Sequence, residues 1–191
     1  MSEPTASGDD APVEAMPASY SAEATEVDEA ERARLTAERD RIRATYEQPR
    51  DDRPPSTARG VHHVALICAD VERTTRFYQD LLGFPLVTMF ENRDLPGSTH
   101  FFFDIGHGNT IAFFDLPGVD PGPYAEVLGG LHHLAISIEW EHWRAAKDRL
   151  DRAGIAYDHV DETSLYFRGP DGERLELIAD PLRWMYGHRV D

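Results

Sequence analysis

Gly60-Val61-His62-His63-Val64-Ala65-Leu66-Ile67 returns later in the chain as Gly130-Leu131-His132-His133-Leu134-Ala135-Ile136-Ser137, so that His63 and His133 stand 70 residues apart. Each copy is a short apolar run opened by a histidine pair. Period-two alternation reads the first as a strand with His63, Ala65 and Ile67 on one face and Val64, Leu66 and Cys68 on the other. The flanks repeat as well. The helix-like segment after the first copy ends Asp80-Leu81-Leu82-Gly83-Phe84, and that after the second ends Asp151-Arg152-Ala153-Gly154-Ile155. Each is closed by a glycine suited to the left-handed residue that stops a helix. Further on, Gly108-Asn109-Thr110-Ile111-Ala112-Phe113-Phe114 aligns with Gly172-Glu173-Arg174-Leu175-Glu176-Leu177-Ile178 at an offset of 64. Each half therefore reads as strand, helix, then two or three strands.

In the first half the pattern predicts a strand over Val61 to Ala69, a helix over Val71 to Leu82 capped by Asp70, and strands over Phe84 to Phe90, His100 to Ile105 and Thr110 to Leu116. The helix stripe Val71, Thr75, Phe77, Tyr78 and Leu82 packs on the sheet. Pro117 to Leu128 connects the halves. The second half gives strand Leu131 to Ile138, helix Glu141 to Ala153, and strands Ile155 to Val160, Ser164 to Arg168 and Arg174 to Ala179. A short closing helix is expected over Leu182 to Tyr186.

Before this domain the composition differs. Residues 1–29 hold eight acids and no Lys or Arg, half of the formal net charge of −16, and are expected to be a disordered acidic tail because so little apolar surface cannot offset the entropy of ordering. Residues 30–59 comprise a helix to about Tyr46, with acids and bases interleaved over a thin stripe of Leu35 and Ile42, then a Pro-rich linker. The helix reads as solvated, or as an arm that clasps a homodimer. Residues 60–191 form the folded domain, with modules at about 60–118 and 129–180 and an extension at 181–191.

The chain shows neither a signal peptide nor an apolar run able to cross a bilayer, and its single cysteine, Cys68, permits no intrachain disulfide; a soluble, cytoplasmic protein is expected. Cys68 reads as a small buried hydrophobe. No basic stripe offers itself to phosphates, which argues against a nucleic-acid partner.

If the halves share one fold and pack about a common axis, four positions converge: His63 and Ala112 from the first, His133 and Glu176 from the second. Two neutral imidazoles and a carboxylate on rigid strands suit non-haem Fe(II), and also Mn(II), Ni(II), Co(II) or Zn(II). Ala112 leaves a side open for substrate or dioxygen. Alternation points His62 and His132 away from this set.

The paired units, with His62-His63-Val64-Ala65-Leu66-Ile67-Cys68-Ala69-Asp70 in one and Leu165-Tyr166-Phe167-Arg168-Gly169-Pro170-Asp171-Gly172-Glu173-Arg174-Leu175-Glu176 in the other, resemble the vicinal oxygen chelate superfamily from Gly60 to about Asp180. The resemblance implies an α+β fold of two tandem βαβββ modules forming an open curved barrel, and it carries ligand roles onto His63, His133 and Glu176. With alanine at position 112, the set is most similar to that of the extradiol dioxygenases, which implies ring cleavage of a catechol-like substrate by Fe(II) and dioxygen. Glyoxalase-type isomerases or lyases and small-molecule binding proteins remain alternatives. Tyr166 stands where those dioxygenases carry a tyrosine near the substrate oxygens. Their acid/base histidine finds no counterpart between Asp115 and Gly130, and His100 and His159 are the candidates to replace it. Phe102, Phe113, Tyr166 and either Trp184 or Tyr186 are expected as pocket walls.

Overall fold

The computed structural model describes residues 27–179. Most of the acidic tail, the expected closing helix Leu182 to Tyr186, and with it Trp184, fall outside the described residues. Those that are described belong to two compact units, one ending at Val61 and one beginning at His62.

In the first unit, helix α1 (Glu29–Tyr46) starts at Asp28, whose carboxylate accepts from the Glu31 N–H at 2.8 Å. Ion pairs one turn apart, Arg34 to Glu31 at 2.6 Å and Arg41 to Glu38 at 2.7 Å, run along it. None of its residues is buried. The charged pattern thus makes a solvated helix held by pairs worth a few tenths of a kcal/mol each.

The second unit contains both modules. Strands β1 (His63–Cys68), β2 (Leu86–Glu91), β3 (Thr99–Asp104) and β4 (Thr110–Asp115) form a sheet ordered β1-β4-β3-β2. Strands β5 (Leu134–Ser137), β6 (Tyr157–Val160), β7 (Ser164–Arg168) and β8 (Arg174–Ile178) form a second sheet ordered β5-β8-β7-β6. In each the first strand is parallel to the last and the others are antiparallel. This is the tandem βαβββ arrangement, and the described strands make two separate sheets with no closed barrel. The registers bear out the duplication: Ala65 pairs with Ala112 as Ala135 pairs with Glu176.

The crossover of the first module begins as α2 (Val71–Thr75), with the Asp70 carboxylate accepting from the Arg73 N–H at 2.8 Å, and continues as a π-helix, Arg76–Leu82. Thr74, Tyr78 and Leu82 are the buried residues of this crossover. Valine 71 and Phe77, which simple helical periodicity assigns to the stripe, are partly buried against the core. Helix α3 (Trp140–Ala153) covers the second sheet with Trp143, Ala146 and Leu150, and the Trp143 indole N–H donates to the Leu177 carbonyl at 3.2 Å. Gly83 and Gly154 end the two crossovers at φ 85° and 68°.

The helix-covered faces of the two sheets join in one apolar core. Phe101, Phe103, Ile111 and Phe113 come from the first, Leu165, Phe167, Leu175 and Leu177 from the second. Cys68 is in this core, and burial pushes its thiol up to about 12, so it behaves as the inert apolar residue its setting suggests.

Polar contacts reinforce the join. The Arg149 guanidinium donates to the Leu81 and Leu82 carbonyls, and Arg73 reaches Asp171 at 2.6 Å. The buried Tyr78 hydroxyl donates to Glu173 at 2.7 Å, while the other oxygen of that carboxylate accepts from the Asp171 N–H at 2.9 Å. Burial, the largest influence, raises the Glu173 carboxyl above its usual range despite these donors.

The same carboxylate occupies the space that a side chain at position 169 would need. Gly169→Ala should therefore expel the Glu173 carboxylate from its donors and lower stability by about 2 kcal/mol, read as a shifted urea midpoint at unchanged slope. A midpoint equal to wild type would show that this turn does not clamp the modules.

Candidate metal centre

Each sheet has a second face on the side opposite the shared core, and parts of it are buried as well, Ala112, Glu176, Ser164 and Arg174 among them. On the first sheet that face carries His63, Ala65 and Ile67 from β1, Ala112 and Phe114 from β4, and His100 and Phe102 from β3, as the pairings Ala65 to Ala112, Phe102 to Ala112 and His100 to Phe114 require. On the second it carries Ala135, Glu176, Tyr166 and Ser164. Position 112 therefore faces the same way as position 176, with alanine in place of the carboxylate.

The second face builds a cluster around Glu176. Its carboxylate is 6% exposed and lies 3.2 Å from the His133 Nε2, while its other oxygen accepts from the Ser164 hydroxyl at 2.6 Å. Tyr166 pairs with Glu176 across the strands, and its ring meets His133 edge-on with centroids 5.7 Å apart. Burial first, then a hydrogen bond to Glu176, pushes the Tyr166 hydroxyl up to about 12, so it remains a donor at neutral pH. Arg174, buried and two residues before Glu176 on the same face, holds its guanidinium 5.4 Å from the Tyr166 ring. The connector contributes Tyr124, whose hydroxyl lies 2.8 Å from the Leu131 carbonyl and 3.0 Å from that of His132.

On the first face, His63 meets Phe102 edge-on at 5.9 Å, the counterpart of the His133 and Tyr166 contact. His100 is gripped by aromatic rings, stacked on Phe114 at 3.7 Å and close to Phe102 at 4.3 Å. Its buried Nε2 has no hydrogen-bond partner. Desolvation, then the neighbouring His63, lowers its basicity below that of an ordinary histidine, which keeps it neutral near pH 7. Ile67 and Phe90 remain 45% and 48% exposed, so this face is apolar and open.

The donor set of the second face suits a divalent cation. Two ligand atoms each about 2.1 Å from one metal stand about 3 Å apart, close to the 3.2 Å between His133 Nε2 and Glu176 Oε2. The third expected donor is elsewhere: among the described residues no three His, Cys, Asp or Glu side chains form a group able to hold a metal. The joining of His63 to His133 and Glu176 at one cation is therefore taken up as a proposal below. The two modules bury their helix-covered faces in a common core, and the His63 and Glu176 faces lie on the opposite side of their sheets.

Other sequence expectations are corrected. His159 pairs with Leu165 on the helix-covered side and sets its ring 5.3 Å from Trp143, away from Tyr166 and Glu176. Phe113 is a core residue packed on Tyr78 at 4.8 Å; the ring on the open face is Phe114. His62 and His132 do not turn away from their neighbours, because they precede the strands and escape the alternation. Ser164 and Arg174 gained no role from the sequence, although counting back in twos from Glu176 along β8 places Arg174 on its face.

A family model described as the Glyoxalase/Bleomycin resistance protein/Dioxygenase superfamily matches residues 60–177. The chain belongs to this superfamily. Among curated members, "Putative ring-cleaving dioxygenase MhqE" of Bacillus subtilis is 30% identical over 128 residues, 63% of this chain and 41% of that protein. Metallothiol transferase FosB of Staphylococcus epidermidis is 27% identical over 129 residues, 64% of this chain and 83% of the other. A crystal structure of a glyoxalase/dioxygenase from Nostoc punctiforme superposes with a TM-score of 0.53 at 25% identity, covering 67% of this chain and 95% of that one. The chain spans about two fifths of the length of the ring-cleaving relatives it matches. Members of the superfamily are mostly enzymes, bind divalent metals and small molecules, and often form dimers. No helix among the described residues is long and apolar enough to cross a membrane.

Proposed function

We propose that this chain is a metal-dependent oxygenase of the ring-cleaving type, acting on a catechol-like vicinal oxygen substrate in a site assembled from two copies. The observation that carries the reading is the His133 imidazole set 3.2 Å from the buried Glu176 carboxylate on the sheet face opposite the core. A second copy supplies His63, since the first-sheet face holding it is apolar, exposed and lacks the carboxylate. Twofold pairing makes two equivalent sites per dimer. Fe(II) is favoured by the two-histidine, one-carboxylate donor set.

A cation so held supplies Lewis acidity toward adjacent substrate oxygens. The residues do the rest. Ser164 fixes the Glu176 carboxylate, leaving one oxygen for coordination. The Tyr166 hydroxyl, which bonds Glu176 in the free protein, turns its one O–H to a substrate oxygen when that oxygen arrives. His100 is neutral with its Nε2 free of protein partners, and so it can take the proton of a diol and return it. Phe90, Phe102 and Phe114 give a planar ring a wall to stack on.

The test is metal analysis of anaerobically purified protein with an oxygen electrode. The expected outcome is Fe(II) at one per chain and oxygen uptake on catechols. Bound Zn(II), Ni(II) or Co(II) with no oxygen uptake would overturn the oxygenase reading in favour of a transferase or isomerase of similar build. That second reading is favoured by the match to FosB, 83% of which is covered. Absence of any metal would leave small-molecule binding.

A further inference from the structure

The paired histidines that open each module carry a feature the proposed reaction leaves unused. His62 and His63 place their Nδ1 atoms 2.8 Å apart, and His132 and His133 place theirs 2.7 Å apart. The rings cross at 76° and 75°. Two sites 70 residues apart thus hold one geometry, which random solvent-facing side chains would not reproduce.

Two neutral imidazoles in Nδ1 to Nδ1 contact impose a rule: one bears the proton there and the other accepts it. Whichever tautomer His133 adopts, His132 takes the complementary one. Facing a bare Glu176 carboxylate, the favourable arrangement is His133 with its proton on Nε2, donated to Glu176, and His132 with its proton on Nδ1, donated to His133. Facing a cation, Nε2 of His133 must offer its lone pair. The proton then sits on its Nδ1 and is accepted by Nδ1 of His132, whose own proton moves to Nε2. Each ring carries one proton before and after.

We propose that His62 and His132 are positioning residues that keep Nδ1 of His63 and His133 bonded in either tautomer by taking the complementary one, so that each pair presents a proton or a lone pair at Nε2 with no change in net charge. This rests on the reading of His63, His133 and Glu176 as a metal site. A ligand histidine needs its second nitrogen bonded to hold ring and tautomer, and losing such a partner lowers metal affinity by about 10-fold to 100-fold. Here the partner is the preceding residue, in both modules.

The test uses the full chain with 15N-labelled histidine, and Zn(II) as the probe. Metal-free wild type should show His133 as the Nε2–H tautomer and His132 as Nδ1–H, and Zn(II) should invert both. His132→Leu should bind Zn(II) about 10-fold more weakly by calorimetry, while its metal-free His133 keeps the Nε2–H tautomer because Glu176 still accepts that proton. His132→Asn places an amide oxygen near the lost Nδ1 and should restore most of the affinity, which a loss of packing alone would not allow. If His132→Leu binds Zn(II) as wild type does, or His133 holds one tautomer with and without metal, the proposal fails. If wild type itself binds no Zn(II) while the metal-free tautomers are as stated, the metal site fails and the pairing survives.

Discussion

His63→Ala and Glu176→Ala chains, each expected to hold no tightly bound divalent cation alone, should recover about a quarter of the wild-type sites when co-expressed in equal amounts, by random pairing into twofold dimers. Half of the dimers are then mixed. In each mixed dimer one site carries both defects, while the other takes His63 from the Glu176→Ala chain and His133 with Glu176 from the His63→Ala chain. Differently tagged chains allow the mixed dimer to be isolated, and its metal content, about one ion per dimer, is the measurement. A site contained within one chain could not give this result, because every chain in the mixture is defective. Recovery near zero in a dimer shown to form would refute the shared site.

The second large effect is Glu176→Gln. The substitution preserves shape, and the Ser164 hydroxyl still finds an amide oxygen, so stability should change by about 1 kcal/mol or less. Metal affinity should fall by more than about 100-fold, since a directly bonded carboxylate is lost and not merely its supporting partner. Calorimetric titration of Zn(II) or Co(II) checks this. Affinity within threefold of wild type would leave the contact between His133 and Glu176 as an ordinary buried hydrogen bond, and the metal centre would have to be given up.

The histidine-led runs made the fold legible because period-two alternation and a repeated glycine stop reach the surface of the sequence directly. Ser164 to Arg168 matches β7, and Asp70 caps its helix as expected. What the sequence could not convey was which faces of the two modules would meet. Alternation marks His63 and His133 as equivalent, yet the large apolar surfaces around Tyr78, Phe103, Leu165 and Leu177, which period-two reading does not rank, decide how the halves dock. The stripe read for the first crossover holds for Tyr78 and Leu82, which are buried, and for Val71 and Phe77, which pack against the core, but it missed the buried Thr74, a small polar residue that apolar periodicity does not mark. His159 was misplaced because β6 is an edge strand, where a residue on the covered side can still reach the helix margin and rest on Trp143.

The shared core makes each module a structural debtor of the other. Cut apart within the Pro117 to Leu128 connector, either βαβββ unit would bare the helix-covered apolar flank that it now buries against its neighbour, and Arg149 and the Tyr78 hydroxyl would lose their partners across the join. The two fragments should therefore be sticky apart and recover solubility when mixed.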